Sequence, residues 1–312
     1  MNGLELSRKY YETFGAPMLH EQFPEWEGRV ACGLIGSGSE CFGYDDEISR
    51  DHDFEAGFCL FIPPEDEMDR PAAFRLERAY AKLPKEFEGV RRGLLSPVGG
   101  NRRGVIRIDE FFTEKLGTPD GALSVSSWLR LPEYALFELT HGQIWRDDAR
   151  LLAPVDHLRI MPEDIRRKKL AGELLTAAQA GQYNYPRCIR RGDTAAAQLC
   201  AAEFVKAVMH AVFLLNGEYL PYYKWQFRAL KDLPVLADLA APFEWLLGSG
   251  NEGALSEEKY TKIEETAGRL IEALQDQELT KADCGDLEKH AYSVNDGIAD
   301  PSLRNASIFA AL

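Results

Sequence analysis

Two aspartates one residue apart, Asp51 and Asp53, follow a glycine–serine turn, Gly36-Ser37-Gly38-Ser39. On a strand, residues i and i+2 project from one face a few ångströms apart, and two carboxylates held so close repel unless a cation lies between them. Hard oxygen ligands that leave room for water and phosphate suit Mg²⁺. Glycine lets the backbone approach a phosphate with no Cβ in the way, and the amides of such a turn face the anion. A phosphate cradle beside a magnesium pair is the equipment of phosphoryl or nucleotidyl transfer. Alone, each half says little, because Gly-Ser turns are common and an Asp-x-Asp is more often a solvated strand end or turn. In this order they are far more specific. No Walker A loop competes for the role, since Gly38 and Gly43 precede no lysine.

The elements that must position these residues can be read from apolar patterning. Val30 to Ile35 forms a strand-like run that stops at Gly36, and Asp51 to Phe54 leads into a second, Phe58 to Ile62, closed by Pro63-Pro64. A charged amphipathic helix is expected over Ala72 to Leu83, a helix from Pro132 to Leu139, and a short strand over Gln143 to Arg146. Val105-Ile106-Arg107-Ile108-Asp109 alternates as a third strand. With Ile106 and Ile108 facing the core, Arg107 and Asp109 share the open side and Glu110 points with the isoleucines. Asp109 is thus the better candidate for a third carboxylate, the alternative being a strand-end acid paired with Arg107; Asp147 is a weaker fourth candidate. His52 faces away from the two aspartates.

Beyond Pro154 the spacing turns helical, over 165–180, 194–215, 225–230 and 260–274. The expected fold is an α/β domain with a short mixed sheet over 1–155, followed by an all-α domain over 156–312. In the helical part Glu203, Lys206 and His210 make one polar stripe, which reads as a solvated face. Lys224, among Tyr222, Tyr223 and Trp225, is a cation backed by aromatics that either reaches a triphosphate or covers apolar surface with its stem. Arg187, Arg190 and Arg191 form a basic cluster that either meets phosphate or pairs with acids such as Asp193.

The 312 residues carry 36 basic against 50 acidic side chains, a formal charge of −14 that repels polyanions over most of the surface and makes nucleic acid a poor partner. The N-terminus, interrupted by Glu5, Arg8 and Lys9, does not read as a secretory signal. The most apolar run, Leu199 to Leu215, contains Glu203, Lys206 and His210 and falls short of the ~20 residues of a membrane span. Six scattered cysteines with no C-x-x-C fit reduced thiols in a cytoplasm and argue against a zinc site.

Gly36-Ser37, thirteen intervening residues, then Asp51-His52-Asp53-Phe54 feeding an apolar strand resembles the signature of the DNA polymerase beta-type nucleotidyltransferase superfamily. Together with Glu40-Cys41-Phe42-Gly43, Gln182-Tyr183-Asn184, Arg190-Arg191-Gly192-Asp193 and Pro221-Tyr222-Tyr223-Lys224-Trp225, the chain also resembles an uncharacterised bacterial nucleotidyltransferase-like family distantly similar to aminoglycoside nucleotidyltransferases. One departure is the acidic insert Tyr44-Asp45-Asp46-Glu47. The resemblance implies that Gly36 and Ser37, with Ser39, hold a triphosphate, that Asp51 and Asp53 bind Mg²⁺, and that a neighbouring strand adds a third carboxylate, for which Asp109 is the candidate; Lys224, from its aromatic setting, is a further candidate nucleotide contact. The activity so implied is transfer of a nucleoside monophosphate, AMP first, from a nucleoside triphosphate to a hydroxyl of a small-molecule acceptor, which the acidic surface suits if that acceptor is cationic. The alternatives are a nucleotide-binding, regulatory or toxin-antitoxin protein without turnover, and a transferase acting on protein or tRNA.

Overall fold

The computed structural model describes residues 1–51, 54–92 and 102–311, the side chains of Arg50 and Asp51 excepted. Apolar runs closed by glycine or proline become strands, and four of them form one mixed sheet: β1 (Ala31–Ile35), β2 (Cys59–Ile62), β3 (Gly104–Arg107) and β4 (Gly142–Asp147), in the order β3-β2-β1-β4. β1 runs antiparallel to both neighbours, whereas β2 and β3 are parallel. Cys59 of β2 lies level with Gly33 of β1 and with Gly104 of β3, so the end of β1 adjoins the beginnings of β2 and β3. One face of the sheet packs Cys32, Leu60 and Ile62 with Tyr10 of helix α1 (Gly3–Tyr10) and Leu76 and Tyr80 of helix α2 (Arg70–Lys82). On the other, Phe61 meets Phe111 edge-on at 5.0 Å.

The chain divides into two compact units, one of 1–123 with 134–160, the other of 124–133 with 161–312. All the strands described belong to the first. In the second, helix α5 (Glu163–Ala177) packs on helix α7 (Thr194–Leu215) and helix α9 (Leu287–Asp296), and helix α8 (Ala254–Asp276) also rests on α7. Three of the intervening helices bear on the sites described below, α3 (Ile108–Leu116), α4 (Glu133–Thr140) and α6 (Tyr185–Arg190). α7 coincides with the helical run 194–215 read from the sequence; at 22 residues it extends beyond the most apolar part, Leu199 to Leu215, and by length and composition it could cross a bilayer. Its stripe of Phe204, Val208, Ala211 and Val212 is instead wholly buried in the protein core.

Two expectations are corrected. Asp51 ends a short 3₁₀ turn, Ile48–Asp51, and is not on a strand; β2 begins only at Cys59. The third strand stops at Arg107, and Asp109 sits in the first turn of α3, where acidic residues complement the helix dipole. Asp147 caps the following turn, accepting from the amides of Leu151 (2.7 Å) and Leu152 (3.1 Å).

Candidate functional site

The turn after β1 is built on glycines that no other residue replaces without strain. Gly36 has φ +118° and Gly38 φ +142°, and a Cβ on Gly38 would lie 2.8 Å from the carboxylate of Glu40. The Gly36 amide donates to the carbonyl of Glu138 on α4 at 3.2 Å, while Ser37 and Ser39 are half-buried at the open side of the turn. Behind it, Glu40 is buried against Arg103, Oε1 to Nη2 2.9 Å, and a second nitrogen of Arg103 reaches Glu55 at 3.3 Å. Two carboxylates outweigh the effect of burial and hold the guanidinium's pKa above its ordinary value. Arg103 precedes β3 and so ties the turn to the start of that strand.

The acidic insert is also tied down. Asp45 accepts from the Gly3 amide at 2.9 Å, and Asp46 accepts from the Ser49 amide at 2.9 Å. Farther along, Phe42 packs edge-on against Phe137 at 5.0 Å, and Phe137 stacks on His141 at 3.7 Å. Burial pushes the His141 imidazole pKa down. The start of β2 is fixed by Tyr80, whose hydroxyl donates to the Phe58 carbonyl at 2.7 Å and accepts from the Phe58 amide at 3.0 Å.

The side chain of Asp51, and Asp53 and His52 entirely, lie outside the described residues. Strand register therefore supplies what can be said of the acids. Gly36 follows β1 at the end of the sheet shared with Cys59 and Gly104, whereas Asp109 follows β3 beyond Arg107, which is level with Ile62 at the opposite end. The strand does not carry Asp109 to the glycine turn, contrary to the alternation argument. Helix α3 does turn back toward Gly36, since a Cβ there would come within 4.0 Å of the Phe111 ring. Asp109 Oδ1 is buried without a hydrogen bond among the described residues, and Glu110 is exposed. Arg107 does not serve as its partner in an ion pair; its guanidinium donates to the carbonyls of Pro63 (2.9 Å) and Met68 (3.0 Å).

Two acids that sequence reasoning passed over do stand beside the turn. Besides Glu40 there is Glu138, whose carbonyl receives the Gly36 amide and whose carboxylate pairs with Lys115 of α3 at 2.7 Å. Glu40 was legible within the turn motif itself, but its partner Arg103 lies 63 residues away. Among the described residues no three His, Cys, Asp or Glu side chains gather as a metal-ligand group.

In the helical unit, Lys224 is exposed and its ammonium lies 5.0 Å from the Trp225 ring centroid. Gln182 is structural: it donates to Glu264 (2.9 Å) and the Gly285 carbonyl (2.8 Å) and accepts from the Leu287 amide (2.9 Å). The polar stripe on α7 splits. Glu203 and Lys206 form an exposed pair at 3.0 Å, but His210 is partly buried, held between Glu173, 2.7 Å from Nδ1, and Glu133, 3.0 Å from Nε2. The second contact is close enough for an ion pair without being aligned as a hydrogen bond. Lys169 adds a cation 3.3 Å from Glu133, and the Leu220 amide donates to the same carboxylate at 3.0 Å. Burial alone would push His210 down, but the two carboxylates hold its pKa up at about 10. Burial likewise pushes Glu133 up, and His210, Lys169 and the amide bring it down to about 2.

Comparison with known proteins adds little to this geometry. Residues 128–226 match the family described as Domain of unknown function (DUF4037), about a third of the chain and none of the glycine turn. No curated protein matches. A solved structure, of a nucleotidyltransferase-like protein from Exiguobacterium sibiricum 255-15, is similar at 13% identity and a TM-score of 0.37, over 85% of this chain and 76% of that one.

Proposed function

We propose that the sheet-bearing unit binds the triphosphate of a nucleoside triphosphate on the Gly36–Ser37 turn and transfers the nucleoside monophosphate, AMP first, to a hydroxyl of a small-molecule acceptor. The observation that carries this reading is the turn itself. Both of its glycines take left-handed φ, it leaves β1 beside the start of β2, and Glu40 and Arg103 brace it from behind. A backbone so arranged admits an anion where a side chain would exclude it. In the reaction the acceptor oxygen attacks the α-phosphorus, pyrophosphate leaves, and the hydroxyl proton passes to a carboxylate. Mg²⁺ held by Asp51 and Asp53 would supply charge neutralisation on the phosphates. Asp109, with an oxygen that lacks a partner among the described residues, is the candidate for the third carboxylate, as base or ligand.

A second reading, nucleotide binding without turnover, is favoured by one observation. Register sets Asp109 at the far end of the strands, while the acids beside the turn, Glu40 and Glu138, are already paired with Arg103 and Lys115.

Calorimetric titration of nucleoside triphosphate with magnesium into Asp51→Asn and Asp53→Asn tests the binding claim, and unchanged affinity in both sinks it. Ser37→Ala is the companion variant, because Gly36→Val would distort the turn whatever binds there. Pyrophosphate release separates the two readings. Asp109→Asn that keeps affinity and loses turnover supports transfer; absence of turnover in the native protein across acceptors leaves only binding.

A further inference from the structure

Helix α5 does not end as an ordinary helix. It passes into a π-helical stretch, Ala178–Asn184, before α6 begins at Tyr185. Such wide turns are rare and recur where helices meet ligands. This one brings Tyr183 to the wall of a cavity of ≈ 430 Å³ lined also by Arg187, Arg190, Ser256, Glu257 and Tyr260. The volume is within the range of small-molecule sites.

Two features of the lining are out of keeping with the rest of the surface. Arg187 and Arg190, three residues apart on α6, share a face in a protein whose net charge is −14. Arg187 lays its guanidinium 4.4 Å from the Tyr183 ring centroid and donates to the Tyr183 hydroxyl. Arg190 is exposed and makes no ion pair among the described residues. Asp193, the nearest acid in sequence, is engaged elsewhere: its carboxylate caps α7 by accepting from the Ala196 amide at 3.0 Å. Tyr185 closes the inner side, its hydroxyl 3.0 Å from Asn251 and 3.3 Å from the Ser256 carbonyl.

We propose that this cavity binds a small molecule in which a phosphate monoester is joined to a flat ring, with the dimensions of a nucleoside monophosphate. The guanidinium fork matches phosphate oxygens in geometry as well as charge. Tyr183 and Tyr260 offer ring faces on which a base stacks. Glu257, the acid in the lining, opposes a longer phosphate chain, so the monophosphate is preferred to the triphosphate. This inference does not depend on the function proposed for the Gly36 turn.

The test is calorimetric titration of AMP into the full-length protein in EDTA, with adenosine, inorganic phosphate and ATP as the other probes. AMP is expected to bind, each of the other three at least about tenfold more weakly. Arg190→Gln and Arg187→Gln should each weaken AMP about tenfold with the fold intact by circular dichroism. Arg190 is exposed, so its replacement reads binding without disturbing packing. Absence of AMP binding overturns the proposal, as does affinity unchanged in both arginine variants. So does AMP binding that is lost in Ser37→Ala yet kept in the arginine variants, which would assign the probe to the glycine turn.

Discussion

Both units bury a carboxylate against a cation, Glu40 on Arg103 beside the glycine turn and Glu133 on His210 among the helices, but the cations differ in kind. Arg103 serves two acids, Glu40 and Glu55, and cannot lose its charge under ordinary conditions. His210 also sits between two acids, Glu133 and Glu173, yet its charge is conditional and exists because they surround it. The turn beside Arg103 carries two glycines at positive φ, and its backbone bonds, including those from Gly36 to Glu138 and from Tyr44 to Ser39, are joined by this pair behind it. A permanent charge suits a segment with no regular helix or strand of its own. The helices around His210 are already hydrogen-bonded and packed, so a titratable group there tunes stability without deciding the local fold.

The comparison breaks most readily at Arg103. Arg103→Met removes the guanidinium that Glu40 and Glu55 share, and removing one partner of a buried pair costs about 3–5 kcal/mol. Chemical denaturation should show that loss, and nucleotide affinity at the turn should fall with it; a variant as stable as the native protein would mean that Arg103 is dispensable. His210→Asn is expected to cost less, about 2–3 kcal/mol, because Lys169 still partners Glu133. Nucleotide affinity at the turn should be unaffected, and a matching fall would erase the distinction drawn here.

Next in size is the pH response. His210 has its folded pKa raised, so its stabilisation is complete below the ordinary histidine value and declines as pH rises toward about 10. Glu133 has its folded pKa depressed, so its contribution is present above the ordinary carboxylate value and is lost as pH falls toward about 2. Melting temperature measured between pH 7 and 10 should decline in the native protein and be flatter in His210→Asn; parallel curves would exclude His210 as the source. The smallest expected change is in Lys224→Met, which keeps the stem over Trp225 and should alter stability by less than about 0.5 kcal/mol. A severalfold fall in nucleotide affinity is expected if Lys224 touches the nucleotide, and equal affinity returns it to the surface.

Much of the framework was legible because it depends on local pattern. The apolar runs ending at Ile35 and Ile62 and the helix expected over Ala72 to Leu83, observed over Arg70–Lys82, needed only continuous apolar runs, helical spacing, glycine and proline to be found. Asp109 was misread for a local reason as well. Val105 to Ile108 alternates like a strand, but Asp109 and Glu110 are also acids of a helix's first turn, and the helix won. His210 and Arg103 were illegible for a different reason: their partners lie 77 and 63 residues away, and no periodicity reaches that far. A polar stripe on a helix announces water or a buried network in the same letters.

The ten-residue passage 124–133 belongs to the helical unit although the chain on both sides of it belongs to the other. Glu133, at its end, is the carboxylate that meets His210, Lys169 and the Leu220 amide. The two units therefore cannot be separated by one cut or exchanged like beads on a string. A fragment beginning at 161 would carry an imidazole and an ammonium with their shared counter-charge left behind, and restoring it would require a peptide supplied in trans or a graft with two junctions.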